Sequence, residues 1–137
     1  MKLFSAGAAI VAAALVALGS APAQAEQVPV DPGIGDGGTG LVFLSVERDG
    51  GWSDAKALSC PEGTGHVQGL EACAQLTAAG GDFADLPPVD GMCTKEYAPV
   101  TFRAAGLWEG KFVLYEREFD NYCTGLHATG GAVFDLA

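Results

Sequence analysis

The stretch VTFRAAGLWEGKFVLYEREF, residues 100–119, contains the clearest strand signals in the chain and predicts the centre of its fold. Apolar residues alternate with polar or small ones over residues 100–105 and again over residues 111–119. A period of two is typical of a strand that buries one face. Residues 106–110 begin and end with glycine and provide a turn between the two runs. The sequence therefore predicts an antiparallel hairpin.

Segments on both sides of this hairpin predict the remaining elements. Asp49-Gly50-Gly51 is a turn signal between two strand-like runs, and Gly80-Gly81 ends a segment of helix-forming composition. The predicted elements are strands at 41–48, 54–60 and 132–136, one main helix at 70–79, and a loop or short helix at 121–127. Together they indicate an antiparallel α+β domain with about five strands.

The N-terminus has the composition of a secretory signal peptide. Lys2 supplies a positive charge, residues 6–18 are an apolar run, and Ala23-Gln24-Ala25 is a small-x-small cleavage site. The apolar run is too short for a stable membrane span. We therefore expect residues 1–25 to be removed and the mature protein to be secreted.

Residues 26–40 are rich in proline and glycine and predict a flexible arm ahead of a domain at 41–137. The arm contains Gly33-x-Gly35-x-x-Gly38, which matches a dinucleotide-binding fingerprint by spacing alone. That motif requires a strand before it and a helix after it. Here a proline-broken segment precedes it and a strand-like run follows, so the sequence indicates no cofactor.

The net charge excludes two classes of partner. The full chain has 7 basic and 17 acidic residues, and loss of Lys2 with the signal peptide leaves 6 basic residues and a charge of −11. A strongly acidic surface repels phosphate backbones and anionic lipid surfaces. We therefore expect no nucleic-acid partner and no membrane partner.

The four cysteines predict two disulfides. An even number of cysteines in an exported protein is typical of a disulfide framework, and four cysteines allow three pairings. The simplest pairing joins neighbours in the sequence, Cys60 with Cys73 and Cys93 with Cys123. Each bridge would contribute about 3 kcal/mol by the loop-entropy relation.

Three enzyme or metal-site hypotheses fit the residues poorly. Ser45, Ser53 and Ser59 lie on or near predicted strands, and no Gly-x-Ser-x-Gly elbow is present. His66 and His127 have no partner at metal-ligand spacing, and the cysteines form no Cys-x-x-Cys motif. Acidic residues are plentiful, but no signal marks two of them as an opposed glycosidase pair. The chain is therefore predicted to be neither an enzyme nor a metal protein.

The segment MCTKEYAP, residues 92–99, fits a protease-binding loop better than it fits an active site. An extended Lys95 could enter a trypsin-like specificity pocket. Cys93 would tether the loop two residues earlier, and Pro99 would restrict the backbone four residues later. Such stiffening matters because ordering a mobile loop offsets binding energy. From spacing alone, an ordinary surface loop with a solvated lysine fits equally well.

From Leu41 to the C-terminus the chain resembles the subtilisin inhibitor-like family, the small secreted protease inhibitors of Streptomyces type. The resemblance spans nearly the whole mature domain and both pairs of cysteines. It is carried by LSCP (58–61), ACAQL (72–76), GGDF (80–83), MCTKEYAPV (92–100), WEGK (108–111), YER (115–117), FDNYC (119–123) and GAVF (131–134).

The resemblance implies a definite architecture. It implies a five-stranded antiparallel sheet with one main helix and a second short helix. It also implies the disulfides Cys60–Cys73 and Cys93–Cys123, the same pairing that proximity suggests. Members are usually homodimers that join through their sheets, so a homodimer is expected.

The resemblance also implies a register for the loop. The reactive bond lies two residues after the third cysteine, which is Lys95–Glu96 here. Asn121, two residues before the last cysteine, would brace the loop from below. The other loop contacts are Met92, Cys93 and Thr94 on the acyl side of the bond, and Tyr97 and Ala98 on the leaving side.

Two positions depart from the best-known family pattern. Thr94 stands where proline is common, so the backbone is less restricted there. Lys95 replaces an apolar residue of subtilisin-directed members, which predicts trypsin-like targets beside subtilisin-like ones. Glu96 adds a charge that narrows the range of proteases.

An alternative from another class remains open. The chain could be a secreted interaction protein without inhibitory activity, such as a substrate of a crosslinking enzyme. Gln27 in the arm, or Gln24 before cleavage, would be the residue concerned.

Overall fold

The alternating segments form a four-stranded antiparallel sheet in the computed structural model, which describes residues 37–137 apart from the side chain of Trp52. The strands lie in the spatial order β2-β1-β3-β4, and each neighbouring pair is antiparallel. Their bounds are Gly40–Arg48 for β1, Trp52–Cys60 for β2, Val100–Trp108 for β3 and Lys111–Phe119 for β4. The predicted hairpin is thus β3–β4, and β1 connects it to the edge strand β2.

The register of the two central strands divides the sheet into a buried and an exposed face. Gly40 pairs with Trp108 and Arg48 with Val100 across β1 and β3. Because side chains alternate between faces, residues of one parity share a face. On the inner face, the buried strand residues include Val42, Leu44, Val46, Leu58, Phe102 and Ala104.

Two helices and the C-terminal segment cover the inner face. Helix α1 (Gly69–Ala78) packs mainly against β2, and helix α2 (Tyr122–Ala128) packs against β3 and β4. A short 3-10 turn, Phe83–Asp85, lies between α1 and β3. The predicted main helix and the short helix after β4 are both present. The molecule is therefore an α+β domain with its core on one side of the sheet.

The predicted fifth strand at 132–136 is wrong for the part of the chain that the structure describes. Gly130 and Gly131 have φ angles of 91° and 85°, and Asp135 N donates to Ala132 O at 3.0 Å, so the chain turns here. Val133 and Phe134 are both fully buried although they are consecutive. A strand would send them to opposite faces. The apolar residues of this segment fill the core from a turn rather than from a strand.

The hairpin turn is also shorter than predicted. Strand β3 continues through Gly106 and Leu107 to Trp108, which leaves Glu109 and Gly110 as the connection. Both connecting residues have positive φ, at 49° and 74°. Two such residues form the tight turn that matches strand twist. Gly106 lies within β3, where the backbone of β1 approaches so closely that a side chain would clash with it.

The predicted signal peptide and most of the predicted arm lie outside the described residues. The last residues of the predicted arm are within the described part of the chain. Gly38 N donates to Thr77 Oγ1 of α1 at 2.9 Å, and β1 begins two residues later at Gly40. Over residues 37–137, no helix combines the length and the apolar character needed to span a bilayer.

Candidate functional site

The exposed loop, residues 89–99, connects the 3-10 turn region to β3 without regular secondary structure. Lys95 and Glu96 are exposed, and the Met92 side chain is 99% exposed. Cys93 and Pro99 are only half-buried. Because almost none of the loop's own side chains are buried, hydrophobic burial contributes little to its shape. Other contacts must hold the loop.

Asn121 provides two of those contacts from beneath the exposed loop. Its side-chain Nδ2 donates to the carbonyl oxygens of Thr94, at 3.1 Å, and Glu96, at 2.9 Å. These carbonyls lie on either side of Lys95 in the chain. One side-chain amide therefore fixes the backbone before and after this residue, while the lysine side chain stays exposed.

The orientation of the Asn121 amide follows from its position before helix α2. Its Oδ1 accepts a hydrogen bond from Thr124 N at 2.8 Å, which caps the helix. This leaves the NH₂ group directed at the exposed loop. Asn121 is 8% exposed, so water competes little for these hydrogen bonds. The Asn121 amide therefore caps helix α2 with its oxygen and holds the exposed loop with its nitrogen.

Two further links join the exposed loop to residues 120–123. The Cys93–Cys123 disulfide tethers the loop before Lys95, with a Cα–Cα distance of 5.7 Å. After Lys95, Ala98 N donates to Asp120 O at 2.9 Å. A single short segment thus holds the chain on both sides of Lys95. The second disulfide, Cys60–Cys73, joins the end of β2 to α1.

Tyr122 anchors this supporting segment to the core. Its hydroxyl donates to Phe134 O at 3.2 Å, and its ring packs against Phe102 with centroids 5.9 Å apart. Burial, reinforced by the nearby Asp135 carboxylate, raises the pKa of the Tyr122 hydroxyl. The hydroxyl therefore remains a neutral donor at physiological pH. The segment 120–123, which supports the exposed loop, is therefore packed against the domain core through Tyr122.

Cys93, Cys123 and His127 place three potential metal-ligand atoms within 4.8 Å of one another. The two sulfur atoms are bonded to each other, so neither is the thiolate that binds a metal. The cluster is a covalent anchor with an imidazole beside it.

The structure brings together the residues that the sequence assigned to this loop. Met92, Cys93, Thr94, Tyr97 and Ala98 flank Lys95 and Glu96, with Asn121 beneath them. Sequence reasoning missed Asp120 and His127. Asp120 acts through its backbone carbonyl, which no residue type reveals. For His127 the sequence shows no partner at metal-ligand spacing, and its spacing of four residues from Cys123 indicates only a shared helix face.

Comparisons with known proteins identify the class. The model of the subtilisin inhibitor-like family matches residues 44–121. A Streptomyces avermitilis protein predicted to be a serine protease inhibitor is 38% identical over 127 residues, which is 91% of this chain and 82% of the relative. Subtilisin inhibitor-like protein 2 of Streptomyces rochei is 50% identical over 72 residues, which is 50% of this chain and 64% of the relative.

A solved structure has the same fold. It is Streptomyces caespitosus sermetstatin, determined in complex with Bacillus licheniformis subtilisin, with a TM-score of 0.56 and 23% identity. The match covers 73% of this chain and 100% of that chain. The chain belongs to the subtilisin inhibitor-like family. It is therefore a protease inhibitor of this type and not an enzyme.

Proposed function

We propose that this protein is a secreted serine protease inhibitor whose reactive bond is Lys95–Glu96. The observation that carries the proposal is the pair of hydrogen bonds from Asn121 to the carbonyls of Thr94 and Glu96. A loop held in shape before binding loses little conformational freedom when it docks. The two hydrogen bonds hold the backbone on either side of Lys95, so Lys95 is the residue whose side chain we expect to enter the protease.

Lys95 would enter the specificity pocket of the protease, and neighbouring loop residues would line the active-site cleft. A pocket with a carboxylate at its base favours a lysine over an apolar side chain. We therefore propose trypsin-like proteases as targets, together with subtilisin-like proteases. Glu96 restricts this range to proteases that accept a negative charge directly after the cleaved bond.

The proposed mechanism is substrate-like binding with re-formation of the cleaved bond. The protease serine attacks the Lys95 carbonyl carbon, and the amine of Glu96 is released. Cys93–Cys123 retains the acyl side, and Ala98 N–Asp120 O retains the leaving side. The amine stays close to the acyl carbon, so re-ligation benefits from a high effective molarity. The protease is therefore occupied without productive turnover.

The experiment is a stoichiometric titration of trypsin and subtilisin with the wild-type protein, Lys95→Ala and Lys95→Met. Lys111→Ala, which changes an exposed lysine at the far end of β4, is the matched control. Loss of a central pocket residue should weaken trypsin inhibition by about 4 kcal/mol, or roughly a thousandfold. Lys95→Met should retain inhibition of subtilisin. Unchanged trypsin inhibition by Lys95→Ala would mean that the assigned bond is wrong.

The exposed face of the sheet supports the proposal that the inhibitor is a homodimer. Leu41, Leu107 and Phe112 are exposed and pair across β1, β3 and β4, and Phe43 and Leu114 extend this patch. Such a continuous apolar patch is unusual on a monomer. A second copy that stacks its own sheet on this face would bury it.

The dimer is tested by sedimentation of Leu114→Glu against Val67→Glu, which changes an exposed apolar residue off the sheet. The Leu114 variant should sediment as a monomer, and the Val67 variant should match the wild type. Identical behaviour of all three proteins would rule out this face as the interface.

A further inference from the structure

His127 lies beneath the acyl side of the exposed loop, next to Cys93. The hydrogen bonds of Asn121 go to Thr94 and Glu96, further along the loop. Its Nδ1 is 3.4 Å from Cys93 Sγ, and its backbone carbonyl accepts a hydrogen bond from Val89 N at 2.9 Å. Cys123 and His127 are four residues apart in α2, so the disulfide and the imidazole leave the same face of the helix. Both therefore meet the same short segment of the loop, residues 91–93.

Gly91 shows how closely this segment approaches the imidazole. A Cβ added to Gly91 would lie 2.6 Å from Nδ1 and 2.7 Å from Nε2 of His127, closer than such atoms approach in real structures. Gly91 is not among the glycines with positive φ. A side chain at this position would therefore meet the ring of His127 unless the ring moved, whereas the backbone conformation of Gly91 is open to any residue.

Different residues thus support the exposed loop on the two sides of the Lys95–Glu96 bond. Asn121 holds the carbonyls next to Lys95, and Asp120 holds the leaving side through Ala98. On the acyl side, residues before Cys93 are exposed and contribute no burial of their own. The His127 ring and the disulfide both lie against residues 91–93.

We propose that His127 is a positioning residue for inhibition: its ring holds the acyl side of the loop in register for re-ligation of the Lys95–Glu96 bond. This inference rests on the proposed function. Hydrolysis of the bond consumes one water and yields a carboxylate on Lys95 and an amine on Glu96. Re-ligation returns the water and needs the two ends to stay aligned. A ring that restricts residues 91–93 favours the intact form.

The first experiment separates binding from cleavage. His127→Ala and the control His66→Ala, which removes the other histidine, are incubated with trypsin, and mass spectrometry follows intact and cleaved inhibitor. His66 contacts Val133 and Gln68 instead of the exposed loop. His127→Ala should inhibit at first but accumulate cleaved protein about tenfold faster, while His66→Ala behaves as the wild type. Equal cleavage of all three proteins would overturn the proposal.

The second experiment needs no protease. The rate at which a small dithiol reduces each disulfide is measured, with Cys60–Cys73 as the internal reference in the same molecule. In His127→Ala, Cys93–Cys123 should be reduced several-fold faster because a ring beside Cys93 is gone, and Cys60–Cys73 should be unaffected. Parallel acceleration of both disulfides would indicate general destabilisation and contradict a local role.

A compensating substitution provides the sharpest test. Gly91→Ala should accelerate cleavage in the presence of His127 because the new methyl group displaces the ring. In the His127→Ala background the same methyl group should occupy the vacated space and restore part of the resistance. Residues in contact give such non-additive effects, whereas independent residues add. Additive effects would overturn the proposal.

These outcomes distinguish the two proposals. If the wild-type protein inhibits neither trypsin nor subtilisin, the proposed function is wrong. The contact of His127 with the loop is then decided by the reduction rates alone. If the wild type inhibits and His127→Ala resists cleavage equally well, only the role of His127 is wrong.

Discussion

Two segments without regular secondary structure, the exposed loop and the C-terminal segment 129–136, are held by the same kind of hydrogen bond but differ in burial. In the exposed loop, Asn121 donates to two backbone carbonyls. In the C-terminal segment, the side chains of His66, Gln75 and Tyr122 donate to carbonyls of Val133, Gly130 and Phe134. The C-terminal segment buries most of its side chains, and the loop exposes nearly all of its own.

This difference separates stability from function. Burial of Val133, Phe134 and Leu136 contributes free energy to the whole domain, so this segment is part of the core. The exposed loop contributes little to the core, and its shape depends on a few polar and covalent contacts. We therefore expect substitutions in the C-terminal segment to lower stability and substitutions under the loop to lower inhibition.

The largest expected effect is that of Phe134→Ala. Phe134 is fully buried and stacks on Phe102 with ring centroids 4.6 Å apart. Its truncation leaves a cavity and should lower the free energy of unfolding by about 3–5 kcal/mol. Denaturant unfolding gives this value, and titration of the folded variant should still show one-to-one inhibition. A variant that is as stable as the wild type but no longer inhibits would break the comparison.

The two disulfides provide the next test. Replacing either pair with alanine should lower stability by about 3 kcal/mol, since each closes a loop of moderate length. Only the Cys93/Cys123 variant should change from an inhibitor into a substrate that trypsin cleaves to completion. The Cys60/Cys73 variant is the matched control and should still inhibit while folded. An intact, slowly cleaved loop in the Cys93/Cys123 variant would contradict the role assigned to the tether.

The smallest expected effect is that of Asn121→Asp. Aspartate keeps an oxygen for the Thr124 N–H and hence the cap of α2. It replaces the donor at the Thr94 and Glu96 carbonyls with a second acceptor. Loss of the two hydrogen bonds should weaken inhibition by about 2 kcal/mol, roughly thirtyfold. Thermal unfolding should change little, and a large fall in stability with unchanged inhibition would reverse the interpretation.

The strands were predictable because each buries one face. Alternation in β1 and β4 identified both strands within one residue of their observed bounds. The segment 132–136 was misread because short apolar runs in turns and in strands look alike. The adjacent glycines with positive φ and the consecutive burial of Val133 and Phe134 are visible only in the fold.

The candidate site was predictable in part. Cys93, Lys95 and Pro99 suggested a tethered loop by spacing alone, but an ordinary loop fitted equally well. Asn121 entered through the family resemblance, because nothing local in the sequence indicates that its amide reaches Thr94. Asp120 could not be found, since it acts through its backbone carbonyl. The spacing of His127 from Cys123 indicates a shared helix face but not the close approach of its ring to Gly91.

The sequence by itself determined the positions of the four observed strands and the main helix, the cysteine framework and the lysine two residues after Cys93. These depend on local periodicity, composition and spacing, which are properties of neighbouring residues. The tertiary structure alone decided that residues 132–136 turn into the core and that Asn121 spans the two carbonyls around Lys95. It also decided that His127 meets Gly91. Those outcomes depend on contacts between segments tens of residues apart, because backbone groups without a local partner take theirs from whichever side chain the fold brings near.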